Sequence, residues 1–270
     1  MEIIRNVSKW GNSAGILLPK EWLGNQVKVI FIDRTLEIKK EVLSILEPYL
    51  EDILGIYLVG SYARGEQGEN SDIDVIAISK NTSKTIKSGK YDVSIVKLQS
   101  IKSSLENHPI LILPRMIEAK PIMNSSLLKE IIPQKILKSS FKEFIKECKR
   151  IIKINQAAIS IDKAKKLANL SNLGVVYSLI LRLRGVYIIN NITKNKKYSK
   201  KEFLSHLKNH LEKIELEKFY NTYDLIKIGK TPREKISIET AEKMLNLLKE
   251  EVKHLENEAK KEAGKRNKIN

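Results

Sequence analysis

Apolar positions change their spacing three times along the chain. In residues 2–10, EIIRNVSKW, apolar and polar residues alternate, the period-two pattern of a strand with one covered face. GNSAG follows as a turn in which glycine supplies positive φ. ILLP reads as a short strand, KEWLG as a helical turn and VKVIFID as a strong β run. A unit of under about 40 residues buries too little surface to stand alone. It is expected to pack on the rest of the chain or on a second copy.

Over residues 35–53 the period lengthens to three and four: Leu36, Ile38, Val42, Ile45, Leu46 and Leu50 predict a helix, which Pro48 interrupts. Short apolar runs then alternate with polar ones. GIYLV predicts a buried strand, a Gly/Ser loop follows, and DIDVIAIS predicts a second strand. NTSKTIKSGK reads as a polar loop, YDVSIVKL as a third strand, IKSSLENH as a helix and MIEAKPIM as a fourth strand. From about Ser126 only helical spacing remains. Helices are predicted over residues 139–158, 162–168, 173–189, 200–211, 215–228 and 238–259, with Ser199 and Glu202 forming a capping box. The pattern divides the chain into a hairpin unit (1–36), an α/β region (37–126), a helical bundle (127–262) and a polar tail (263–270). The fold class is α+β.

Charge sharpens that division. The net charge is +17, but residues 1–40 carry +3, residues 41–126 carry −2 and residues 127–270 carry +16. A basic half attracts polyanions such as nucleic acid or nucleotide phosphates, although its lysines are interleaved with glutamates as on a solvated helical surface. No stretch is read as approaching the roughly 20 apolar residues that cross a bilayer, and the N-terminus lacks the apolar core of a signal peptide. Cys148 is the single cysteine, so neither an internal disulfide nor a cysteine metal cluster can form. A cytoplasmic protein with no membrane partner is expected.

The chemistry concentrates in LVGSYARGEQGENSDIDVIAIS. A buried strand ends at Val59. Gly60 and Ser61 open a tight turn, which lets backbone amides and a small hydroxyl approach a triphosphate. Asp72 and Asp74 alternate on the next strand and so project from one face of the sheet. Carboxylates sharing a face repel each other unless a cation lies between them, and magnesium is the oxygen-seeking ion for that place. Asp92, the only acid in YDVSIVKL, would complete a two-ion site. Glu118 reads either as a surface acid or as a general base on the fourth strand.

Gly-Ser, ten residues, then Asp-x-Asp resembles the DNA polymerase β-like nucleotidyltransferase superfamily, and most of all its minimal and kanamycin-nucleotidyltransferase-like branch. GSYARG is similar to that family's GSxARG, and NSDIDVIAI to its SDIDLxV. The resemblance implies that Gly60 and Ser61 bind the triphosphate with Arg64 near the phosphates. It implies that Asp72, Asp74 and Asp92 are the catalytic, metal-holding carboxylates for two Mg2+ ions. It also implies an NTP substrate, commonly ATP, with an acceptor such as RNA or protein left unnamed. A helical bundle that closes over the nucleotide or acceptor is expected beside it. Arg182 and Arg184 read either as its phosphate contacts or as ordinary surface arginines.

RNVSKWGNSAGILLPKEWLGNQVKVIFID resembles the swapped-hairpin DNA-binding domains of AbrB- and MazE-type regulators. That implies a homodimer, with Arg5, Lys9, Asn12 and Lys20 as DNA-contacting candidates. The alternative function is therefore a dimeric DNA-binding regulator or antitoxin-like protein. The helical half is similar in type to HEPN ribonucleases but has no arginine followed at their spacing by histidine, which argues against RNA cleavage. His206 and His210 stand at metal-ligand spacing on one helix without a third ligand.

Overall fold

The computed structural model describes residues 3, 5, 7–29, 35–68 and 71–266. The protein is mixed α+β, with a five-stranded sheet, a separate two-stranded hairpin and a helical C-terminal half.

The hairpin pairs β1 (Ser8–Trp10) with β2 (Ser13–Gly15), antiparallel, across a turn in which Gly11 has φ +56°. Glycine adopts that left-handed conformation without a Cβ penalty. The strand expected at ILLP is absent: residues 16–19 are extended but unpaired, and a 3-10 turn spans Lys20–Trp22. Of the β run expected in VKVIFID, residues 27–29 carry no strand and 30–33 lie outside the described residues.

Helix α1 (Thr35–Leu46) places Ile38, Val42 and Leu46 on the sheet. It gives way to a 3-10 turn, Glu47–Asp52, with Pro48 in its first turn, where a missing N–H costs no helix bond. Strand β3 (Ile53–Val59) leads into α2 (Gly60–Arg64), one short helical turn where a loop is expected. Next come β4 (Ile73–Ser79), β5 (Lys84–Ser88) and β6 (Tyr91–Lys97). Helix α3 (Leu98–Asn107), helix α4 (Leu113–Glu118), β7 (Lys120–Met123) and helix α5 (Ser125–Ile131) complete this part.

The sheet order is β5-β6-β4-β3-β7. Only β4 and β6 run parallel; every other pairing is antiparallel. Alternation sends Val75, Ala77, Tyr91, Val93 and Ile95 toward α1, and Ile76 and Ile78 toward α3, α4 and α5. Two predictions need correction. The polar loop holds β5, an edge strand whose burial comes only from Ile86 and whose lysines suit an exposed edge. The fourth strand begins only at Lys120, so Glu118 ends a helix instead of sitting in the sheet.

The helical half contains α6 (Lys142–Ala164), α7 (Gly174–Ile192), α8 (Lys200–Leu207), α9 (Lys213–Lys227) and α10 (Ile238–Arg266). Two helices expected over 139–168 are one, α6, with a 3-10 turn at its start. Helix α10 runs into the segment expected to be a tail, and residues 267–270 lie outside the described residues. Helix α7 is the core of this half: Val176, Leu179, Ile180, Val186 and Ile189 are fully buried among α6, α9 and α10. The reading that no segment is long and apolar enough to span a bilayer also needs correction. By length and composition α7 passes, with half of it buried inside the protein. Two of its middle positions are Arg182 and Arg184, which bond or stack against protein groups.

Candidate active site

The site forms where β3 ends and β4 and β6 begin. In the antiparallel pair Val59 lies opposite Asp74, and in the parallel pair Asp74 lies beside Asp92. Neighbouring strands are about 4.8 Å apart, so two carboxylates share one face at one level of the sheet. Both project on the face that carries Ile76 and Ile78. Asp72 is exposed just ahead of β4.

Gly60 must be glycine. Its φ is +73°, and a Cβ there would stand 2.2 Å from Asp74 Oδ2. The turn therefore lies directly against the Asp74 carboxylate, with Ser61 half-buried beside it.

Electrostatics mark Asp74 as the strained member. Burial raises its pKa; Arg115 on α4 opposes, Asp92 and Asp72 raise it further, and Lys227 at the end of α9 opposes again. The Asp92 and Asp72 charges both bear on Asp74, and an all-oxygen set of this kind is what a hard divalent cation prefers. Asp92 meets Lys87 of β5 at 3.7 Å, an exposed contact worth little by itself. A shallow cavity of about 40 Å3 is lined by Asp72, Lys87, Gly89, Lys90, Tyr91 and Asp92. A larger one, about 480 Å3, adjoins it between α1 and the β5–β6 turn, sharing Gly89, Lys90 and Tyr91. Asp74 and Gly60 line neither cavity, while Asp72 and Asp92 line only the smaller one. Among the described residues, no three acidic, histidine or cysteine side chains are drawn together closely enough to make a ready cation cage.

Several groups around the site were not legible as such. Glu118 is neither a strand residue nor a surface acid: it is 7% exposed. Its Oε1 accepts the Gly60 N–H at 2.9 Å and its Oε2 accepts from Arg64 Nη1 at 2.7 Å. Arg64 Nε donates to Glu66 at 2.8 Å, and Glu66 accepts the backbone N–H of Lys200 at 3.0 Å. The Arg64 guanidinium lies 5.4 Å from the centre of the Tyr198 ring, and Arg184 lies 4.7 Å from the same ring. Burial works against the Arg64 charge, but the bonds to Glu66 and Glu118 outweigh it and hold the pKa above the ordinary value. No sequence spacing links Arg64 to Glu118; only the fold of α4 against α2 does.

The remaining candidates lie apart. Arg5, Lys9, Asn12 and Lys20 are all exposed in the N-terminal unit. Arg182 donates to Glu147 at 2.7 Å, away from the carboxylates. His206 meets Glu251 at 3.0 Å and lies edgewise to His210; among the described residues these side chains do not make a metal-holding group.

Residues 36–152 match the family described as Nucleotidyltransferase domain, and residues 1–35 match one provisionally described as transposon-encoded proteins. A Methanocaldococcus jannaschii protein provisionally named protein adenylyltransferase is 34% identical over 125 residues, which cover 44% of this chain and 84% of that protein. A second of the same provisional name and organism is 35% identical over 75 residues, 28% of this chain and 72% of that protein. A spectinomycin adenyltransferase from Enterococcus faecialis, solved with ATP and spectinomycin, superposes with a TM-score of 0.44 at 16% identity, covering 81% of this chain and 99% of that one.

Proposed function

This chain is a transferase enzyme of the nucleotidyltransferase family, and from that premise we propose that it moves a nucleoside monophosphate, AMP from ATP, onto an acceptor hydroxyl and releases pyrophosphate. The observation that carries the reading is the level pairing of Asp74 with Asp92 beside Gly60.

In this reading Gly60 and Ser61 receive the triphosphate, and Arg64 supports that turn from behind. Asp72, Asp74 and Asp92 would hold two magnesium ions, which supply neutralising charge to the phosphate oxygens. The acceptor oxygen attacks the α-phosphorus in line. The new P–O bond forms as the bond to the bridging oxygen breaks, and pyrophosphate leaves. The acceptor proton passes to a carboxylate, for which Asp92 is the candidate because it borders the open cavity. Most of the rate gain then comes from holding the two oxygens and the phosphorus in line. Arg115 and Lys227, whose charges both reach Asp74, add positive potential from the side of the helices.

The provisional name of the relatives supports ATP as donor and a protein hydroxyl as acceptor. RNA is the competing acceptor, favoured by the +16 balance of residues 127–270. Incubation with α-labelled ATP, magnesium and separate protein and RNA fractions tests both. Label should enter the acceptor only with metal present and should be lost in Asp74→Ala; label that persists in that variant contradicts the site.

A second reading concerns residues 1–36, proposed as one region beside a catalytic region (37–126) and a helical one (127–262). Val7, Trp10, Leu17, Leu23 and Val29 all stand exposed there, Leu23 at 77%. Such a set supports an interlocked homodimer of the AbrB type, with Arg5, Lys9, Asn12 and Lys20 as its DNA contacts. DNA affinity that falls steeply with salt, and falls further in Lys9→Ala, is the expected result. A cytoplasmic setting is proposed from the lone, buried Cys148, whose thiol burial pushes up to about 12.

A further inference from the structure

We infer that Glu118 is the positioning residue of the nucleotide-binding turn: it clamps α2 at both ends and so fixes Gly60 and Ser61 against Asp74. The inference rests on the nucleotidyltransferase reading and extends it to a residue outside the sequence motif.

Helix α2 has five residues, too few to hold itself by its own hydrogen bonds. Its first residue, Gly60, and its last, Arg64, both donate to the one Glu118 carboxylate, at 2.9 and 2.7 Å. A carboxylate that is 7% exposed is costly unless both its oxygens are met, and here each has a donor and one donor is a cation. With each oxygen already accepting from α2, the Glu118 carboxylate is held in place by the turn itself.

The clamp acts on geometry. The Gly60 N–H bond fixes the plane of the Val59–Gly60 peptide. That peptide lies so close to Asp74 that a methyl group on Gly60 would touch its carboxylate. Any rotation of the peptide therefore displaces Asp74 or moves Ser61 away from it. Glu118 sets the distance between the two halves of the site, phosphate turn and metal carboxylate.

Arg64 extends the clamp. Its fork spends Nε on Glu66 and Nη1 on Glu118, and Glu66 passes the connection to the first amide of α8. The Arg64 and Arg184 guanidinia both lie against Tyr198. Arg64 thus faces inward to two carboxylates and a ring. A planar fork meets both carboxylates in fixed directions while lying flat on the ring; an ammonium has neither the fixed fork nor the flat face.

The test is calorimetric titration of ATP, GTP, CTP and UTP into the full-length protein with magnesium, well below its melting temperature. Three variants are compared with wild type: Glu118→Gln, Arg64→Gln/Glu118→Gln, and Arg64→Lys. Glu118→Gln leaves Arg64 short of one counter-charge, so it should lose both melting temperature and affinity. The double variant removes both charges together and should recover melting temperature while still binding nucleotide roughly tenfold or more weakly, because the Arg64 end of the turn is no longer held and a neutral amide oxygen grips the Gly60 N–H less firmly. Arg64→Lys keeps the buried pair neutral and decides the matter if both glutamine variants unfold; it should also bind roughly tenfold more weakly. A folded double variant or Arg64→Lys protein that binds within about twofold of wild type overturns the inference and leaves the enzyme reading standing. A wild type that binds none of the four nucleotides overturns both.

Discussion

At the scale of single residues the site depends on close approach. Gly60→Ala places a methyl group against Asp74 at a φ that costs an L-residue about 1–2 kcal/mol. Its unfolding free energy should fall by about that amount in urea, and its transfer rate by about a hundredfold or more, since displacement of a reacting group by about 1 Å costs that much. A variant that lost stability but kept its rate would show that the turn tolerates displacement. The sequence displayed Gly60, Ser61, Asp72, Asp74 and Asp92 because their spacing follows a strand, a turn and a strand. It offered Glu118 only as a surface acid or a general base on a strand, and it hid Glu66 and Tyr198; Glu118 and Tyr198 meet Gly60 or Arg64 only through tertiary contacts, and none of the three carries a periodic signal.

At the scale of elements, helices were easier to read than their ends. The sequence pattern divides α6 into two helices, over 139–158 and 162–168. Asp162 instead stays helical, and its carboxylate accepts the N–H and hydroxyl of Ser171 at 2.9 and 2.6 Å. Strand β5 was missed because an edge strand needs no apolar alternation. The capping site of α8 was legible: Ser199 Oγ accepts the Glu202 N–H at 3.4 Å. Two packing predictions follow from these helices. Helices α6 and α7 touch where a Gly185 Cβ would stand 2.3 Å from Phe144 Cζ, so Gly185→Ala should destabilise by about 1–3 kcal/mol in denaturant titration. Helix α8 is held to α10 by His206 and Glu251. That bond raises the His206 pKa above its ordinary value, against the effect of burial. Because the folded pKa is the higher one, the stabilisation is complete below the unfolded value, about 6.5, and disappears as pH rises through the folded value. His206→Gln should therefore lower the melting temperature at pH 5.5 and differ little from wild type at pH 9. An equal deficit at both pH values would mean that the side chain serves only in packing.

At the scale of the whole molecule, two features were partly legible. The change to helical spacing near Ser126 matched the helical half, although the depth of burial of α7 was not visible in its apolar run. The N-terminal unit reads from its length as too small to stand alone, and Trp10, at 57%, and Leu23 are exposed on it. If it pairs with a second copy, deletion of residues 1–34 should convert a dimer into a monomer by light scattering while leaving nucleotide binding intact. A full-length monomer would contradict the pairing.

The central claim is that nucleotide and metal meet at the Asp72, Asp74 and Asp92 face beside Gly60. Isothermal titration of ATP and then of the other NTPs, with magnesium, into wild type and into Asp72→Ala/Asp74→Ala tests it most directly. The expected result is metal-dependent binding to wild type that the folded double variant loses. Binding of equal strength to both proteins, or none to a well-folded wild type, would contradict it.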